Sequence, residues 1–233
     1  MREYRSAGLA YNAALGRAIG DVCVFVHQDV FLPEYWDLHL ERAIESLDKI
    51  DSNWGVLGVY GIGRWSGRAV GHVYCTGLGR CLGRAFQAPE PVGSLDELLL
   101  VVRKGCGIVF DGELPGFHMY GTDICLQALD RGITCYAISA FCIHNTAGRV
   151  LLPWSFWRAY DYMRRKWRAQ LPVRTPCVTI TRGRWPIVEH TMRSLYARYL
   201  KGERPGKRFE NVENLCEAVA KQTRLDLSAS EKP

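Results

Sequence analysis

Val22-Cys23-Val24-Phe25-Val26-His27-Gln28-Asp29-Val30 is an apolar run that stops abruptly at three polar residues. β-Branched and aromatic residues without alternation read as a strand buried on both faces of a parallel sheet. Polar groups at the carboxyl end of such a strand stand where open α/β sheets bind their ligands. A carboxylate there is an oxygen ligand for a hard divalent cation. The plainer reading is that Asp29 opens a turn ahead of Pro33, and the stretch alone leaves both open.

Outward from this stretch, strand-like and helix-like segments alternate. Leu9, Ala13, Ala14 and Ala18 fall near helical spacing within residues 5–18, with Gly20 as a stop signal. Residues 34–49 read as an amphipathic helix carrying Tyr35, Leu38, Ala43, Ile44 and Leu47 inward. Trp54–Tyr60 reads as the next buried strand, and the glycines from Gly61 to Gly83 suggest hairpins and a mobile loop. They do not make a phosphate loop, because no G-x-x-x-x-G-K-[ST] is present. Leu95–Arg103 reads as one strand with acids at its start, and Ile108–Asp111 as a short one. Thr122 is a good N-cap and Gly132 a good C′ residue for a helix of about ten residues. Thr134–Ile143 reads as a strand ending in His144-Asn145. This order predicts an α/β fold, a mostly parallel sheet flanked by helices.

Past Pro153 the texture changes. Trp154–Arg168 reads as an aromatic and basic helix, Cys177–Ile180 as a strand, Ile187–Leu200 as a helix, and the tail from Leu227 as frayed. The expected organisation is a core over residues 1–150 and a basic, mainly helical extension over 151–233. Between Arg149 and Arg208 there are 15 Lys or Arg against 3 acids, a net +12 in a chain whose total is +6, so the remainder sums to −6. That asymmetry points to an anionic partner for the last third: phosphate, membrane surface or nucleic acid.

With 233 residues, 48% of them hydrophobic, the chain can bury one sizeable core and is not of disordered composition. No apolar run approaches the ~20 residues that span a bilayer, and Met1-Arg-Glu-Tyr-Arg5 does not open a signal peptide. The 9 cysteines form no C-x-x-C pair, which suggests reduced thiols and a cytoplasmic setting.

Acid and imidazole groups therefore gather at element ends: His27 and Asp29 after one strand, Asp123 in the first turn of a helix, His144 after a later strand. Each has an ordinary alternative. Asp123 could complement the helix dipole, worth about 0.3–1 kcal/mol. His144 could open a turn, and His118 could be a half-buried aromatic.

Together the segments Ser6–Asn12, Gly20-Asp21, Val24–Asp29, Phe110–His118, Tyr120–Asp123 and Ile143-His144 resemble the family-two-like glycosyltransferases of the GT-A fold. Within them they most resemble the bacterial branch whose metal motif reads His-Gln-Asp in place of Asp-x-Asp. The resemblance covers roughly Ser6–Asn145 and lacks the N-terminal strand-helix-strand unit that holds the nucleobase. It implies Asp29 and His144 as ligands of Mn²⁺ or Mg²⁺ on the phosphates of a UDP- or GDP-sugar. It places Asn12, His27 and Gln28 beside the nucleotide sugar, Phe117 and His118 beside the acceptor or donor sugar, and Asp123 as the general base. The implied reaction is inverting transfer to a hydroxyl acceptor, phosphate- or lipid-linked, in bacterial surface polysaccharide synthesis. Two rivals stand beside it. One is a glycosyltransferase-like binding module without catalysis. The other is a single-stranded nucleic-acid site in the basic, aromatic segment Trp154–Arg208, which also suits peripheral contact with the inner face of a membrane.

Overall fold

A computed structural model describes residues 4–148, 151–202, 206–223, 225 and 227. The tail expected to fray from Leu227 falls mostly outside them. Ser6 caps α1 (Ala7–Arg17), its side chain accepting from the Leu9 amide. The apolar run gives β1 (Val22–Val26), and after His27-Gln28-Asp29 comes β2 (Val30–Phe31). Then follow α2 (Trp36–Asp48), β3 (Trp54–Gly58), β4 (Tyr60–Gly63), β5 (Ala69–Cys75) and β6 (Arg80–Gly83). The glycine-rich stretch is indeed a set of hairpins. Gly83 (φ 75°) explains its own residue type: an added Cβ would meet the Gly71 carbonyl at 1.9 Å.

The chain continues through β7 (Glu90–Leu95), β8 (Leu99–Arg103), α3 (Tyr120–Asp130), β9 (Thr134–Ala137) and β10 (Cys142–His144). Two expected single strands are therefore split. Leu95–Arg103 breaks at Asp96-Glu97, where Asp96 accepts from the Leu98 amide and turns the chain. Thr134–Ile143 breaks after Ala137, so that one half pairs with β3 and the other with β5. Ile108–Asp111 is not a strand, although Ile108 and Phe110 are buried. Thr122 lies inside α3, not at its cap; the cap is Met119, a left-handed residue at φ 65°. Gly132 does follow the helix with positive φ.

The strands form one ten-stranded sheet in the order β1-β8-β3-β9-β7-β4-β5-β10-β2, with β6 on β5. It is mixed: of nine pairings, only β3–β9 and β5–β10 are parallel. The expectation of a mostly parallel sheet is corrected on this point, while the α/β class holds. The central place given to β1 is also corrected. It ends the strand path with one antiparallel neighbour, and Val24 is exposed. The strands buried on both faces are β3 and β8. An unbroken apolar run reports burial, but the layers that bury it come from distant residues.

β1 and β2 stand at opposite ends of the strand path, yet three residues join them. The sheet curls until its ends meet at His27-Gln28-Asp29.

Beyond Pro153 lie α4 (Trp154–Lys166), α5 (Trp185–Tyr199) and α6 (Val212–Thr223). The expected strand at Cys177–Ile180 is a single bridge between Val173 and Ile180. α4 is not peripheral to the first 150 residues. Phe156, Ala159, Tyr160, Met163 and Trp167 share a core with Tyr11, Phe25, Phe110 and Ile124. Among the described residues no helix is long and apolar enough to cross a membrane.

Candidate metal centre

Where the sheet closes, His27, Asp29 and His144 converge. One ligand atom from each lies within 4.8 Å of the other two. Local structure explains the meeting. The His27 amide extends the β1–β8 ladder by donating to the Leu98 carbonyl, and Gln28 and Asp29 form the turn into β2. β2 pairs with β10 so that Val30 faces His144. The Asn145 amide then donates to the Asp29 carbonyl at 2.7 Å, fixing the turn from below. Asp29 thus stands in the turn into β2, as the plainer reading has it, with its carboxylate facing His144.

The three side chains are half-buried and polarised by one another. His144 Nε2 faces Asp29 Oδ1 at 3.6 Å. That contact holds the Asp29 carboxyl below its ordinary range, although burial opposes it. Burial pulls His144 down, but Asp29 and Cys75 beside the ring outweigh it and push its pKa up to about 10. His27 is lowered, chiefly by burial. Tyr120 Oη lies 2.7 Å from His27 Nε2 and donates on to the Glu97 carbonyl, which fixes the ring's direction. Two imidazoles and a carboxylate are groups that could hold a divalent metal ion.

Four residues of this neighbourhood were not foreseen. Asp96 acts electrostatically on both histidines from the β7–β8 turn, and Cys75 contacts His144. Glu97 accepts the amide of the strained Met119, and burial followed by the Asp96 charge pushes its carboxyl up to about 8. Tyr120 is the hub between His27, Tyr11 and Glu97. The one available signal was the Asp96-Glu97 pair inside an apolar run.

The segment before α6 folds over the cluster. Arg208 Nη2 reaches Asp29 Oδ2 at 3.4 Å. Asn145 and Phe209 exchange two hydrogen bonds, at 2.9 Å each, and the Gly206 amide donates to the Gly77 carbonyl.

The remaining expected residues stand elsewhere. Asn12 does not face an open groove: its side chain clamps the Phe110 backbone, donating to the carbonyl at 2.8 Å and accepting from the amide at 2.9 Å. Gln28 is exposed in the turn. Phe117 is exposed, and His118 meets Ser155 Oγ at 3.2 Å. Ser155 also lines a cavity of about 460 Å³ bounded by Arg5, Leu9, Pro115 and Arg158.

Asp123 belongs to a different network. It is 1% exposed, and its carboxylate accepts from Trp167 Nε1 at 2.7 Å, Gln127 Nε2 at 2.8 Å and Lys166 Nζ at 2.9 Å. Lys166 also reaches Asp111 at 2.6 Å. Burial raises the Asp123 carboxyl against the pull of Lys166 and Trp167. The structure joins His27, Asp29 and His144, and places Asp123 one turn along α3 from Tyr120, turned toward α4.

No protein-family model matches the chain. Over 176 residues it is 35% identical to a Fuscovulum blasticum protein described as "ATP synthase subunits region ORF 6", an alignment covering 72% of this chain and 69% of that protein. The description names no reaction. On that identity and coverage, the chain belongs to the family of the ATP synthase subunits region ORF 6 protein.

Proposed function

We propose that the chain is a metal-dependent glycosyltransferase acting on a nucleotide-sugar donor and a hydroxyl acceptor. The observation that carries this reading is the convergence of His27, Asp29 and His144 at the closure of the sheet, within a run of motifs resembling the GT-A glycosyltransferases. His27, Asp29 and His144 would hold a divalent cation, Mn²⁺ or Mg²⁺. Such a cation supplies positive charge against the diphosphate that departs. Arg208, already against Asp29, adds a second charge on the same side and can turn to a phosphate oxygen. Phe117 and His118, with the cavity beside Ser155, offer a place for the acceptor sugar.

Asp123 is the base that the resemblance supplies. It can take a proton from an acceptor hydroxyl only if Lys166 withdraws, because nitrogen donors now fill both its oxygens. That saturation favours a second reading, a module that binds metal and nucleotide without turnover. One experiment separates them. Hydrolysis and transfer are measured for a panel of UDP- and GDP-sugars with Mn²⁺, beside thermal stabilisation by UDP or GDP. Mn²⁺-dependent turnover supports the enzyme. Stabilisation alone supports the module, and neither signal removes both readings.

A further inference from the structure

α5 is held to the body by one buried residue, Ile187, and shows an apolar face to solvent. Trp185, Met192, Tyr196, Tyr199 and Leu200 recur at intervals of seven, four, three and one residues, which puts them on a single stripe opposite Ile187. All five are between 54% and 76% exposed. Glu189 also stands on this face, paired with Arg193 at 2.7 Å. Lys201 Nζ lies 5.7 Å from the Tyr196 ring centre, and Arg198 lies 5.6 Å from that of Tyr199.

Beside the start of this helix is a cavity of about 330 Å³ lined by Arg164, Arg165, Arg168 and Arg182. No carboxylate lines it. Asp161, the nearest acid in these contacts, is already shared by Arg164 and Arg184. Arg164 is held by Asp161 and the Arg182 carbonyl, and the guanidinium groups of Arg165, Arg168 and Arg182 beside it suit phosphate oxygens.

We propose that α5 and the arginine cavity form a docking face for an anionic phospholipid membrane. The apolar stripe lies in the headgroup boundary, and the arginines take lipid phosphates. Tryptophan and tyrosine are suited to that boundary because one part of each ring system is apolar and the other polar. An interfacial helix of this kind binds through buried apolar area together with attraction to anionic lipid. The net +12 between Arg149 and Arg208 supplies that attraction. A second copy of the chain fits poorly, since two such faces would bring like charges together. Single-stranded nucleic acid would use the aromatic rings but leave Met192 and Leu200 without a role.

The test is flotation of the full chain with vesicles of phosphatidylcholine alone and of phosphatidylcholine with phosphatidylglycerol. The chain is expected to float only with the anionic vesicles and to be released by salt. The triple variant Arg165→Gln, Arg168→Gln, Arg182→Gln should partition about a hundredfold less. The variant Met192→Asp, Tyr196→Asp, Tyr199→Asp should lose binding while keeping the wild-type melting temperature, because these side chains are exposed. Inorganic pyrophosphate, as the free-phosphate probe, should displace the chain from vesicles no more than sodium chloride of equal ionic strength does. Equal binding to both vesicle types, no flotation, or face variants that float like wild type would overturn the proposal. So would displacement by pyrophosphate beyond that by sodium chloride of equal ionic strength, tighter binding to a single-stranded oligonucleotide lost in the same variants, or a dimer that those variants dissociate.

Discussion

Replacing Asp123 by alanine removes the acceptor that ties α3 to α4. In the folded chain its two oxygens receive Lys166, Trp167 and Gln127 at 2.7–2.9 Å, in a pocket where it is 1% exposed. Breaking a buried ion pair by removing one partner costs about 3–5 kcal/mol. Here the cost sits below that range, because the Lys166 side chain is 25% exposed and keeps Asp111 at 2.6 Å. The Trp167 N–H is less fortunate. It is left buried without a partner, at roughly 1–3 kcal/mol. Together these give about 3 kcal/mol, or roughly 6–12 °C in melting temperature for a chain of this size. Asp123→Asn should cost about half as much, since its oxygen still accepts from Trp167. Urea unfolding followed by far-UV circular dichroism measures both. If Asp123→Ala loses less than about 1 kcal/mol, within the range of an ordinary surface substitution, the network does not brace the fold and the reasoning fails.

Further expectations concern other parts of the molecule. Asp29→Asn and His144→Ala should each weaken Mn²⁺ binding by well over tenfold, and Tyr120→Phe, which frees the His27 ring, by about tenfold; titration calorimetry with Mn²⁺ would read all three, and equal affinities would dismiss the centre. Asp51 accepts from Thr134 Oγ1 at 2.5 Å and Tyr136 Oη at 2.8 Å. Burial raises its carboxyl, but these bonds and the Asn53 amide outweigh that and leave it lowered. Its stabilisation is therefore full above the unfolded-state pKa and is lost as pH falls through the lower folded value. Asp51→Asn should flatten the acid limb of stability against pH, and an unchanged limb would contradict the assignment. Gly8→Ala should destabilise by about 1–3 kcal/mol or more, because the new Cβ would fall 2.0 Å from the Asp111 carbonyl oxygen. A neutral Gly8→Ala would mean that the 111–112 loop yields freely.

The sequence announced the helices well because their signals are local. Residues 5–18 hold α1, residues 34–49 hold α2 and Gly132 follows α3, but the buried faces were not legible: Leu9 and Tyr35 are exposed, while Tyr11, Leu15, Trp36 and Leu40 are buried. It pointed to the pair Asp29 and His144 because both mark abrupt ends of apolar runs, and it set His27 beside the nucleotide sugar, where the structure puts it with that pair. It did not announce the neighbours. Val22–Val26 and Leu99–Arg103 are equally apolar in sequence, yet one ends the strand path and the other lies inside it. Nothing within either run encodes the layers that cover it. The contacts of Asn12 were hidden for a similar reason. Whether an asparagine on a helix faces a groove or clamps a backbone depends on where residue 110 passes, 98 positions away. The two breaks, at Asp96-Glu97 and after Ala137, show the sheet changing partner while the hydrophobic pattern continues.

Tyr120 and Asp123 stand three residues apart on α3, close to one face of the helix. Tyr120 orients His27 in the metal centre, while Asp123 fastens the same turn to α4. This arrangement makes Mn²⁺ affinity a readout that separates the two roles open to Asp123. If Asp123 is solely a proton acceptor, Asp123→Asn abolishes turnover and leaves Mn²⁺ affinity as it was. If it braces the helix, the same substitution lets the first turn of α3 shift, Tyr120 loses its hold on His27, and affinity falls toward that of Tyr120→Phe. The second outcome is the one expected here, because a carboxylate already committed to three nitrogen donors has little capacity left for a substrate proton. Unchanged Mn²⁺ affinity in Asp123→Asn, together with lost turnover, would instead mean that Lys166 moves aside during the reaction.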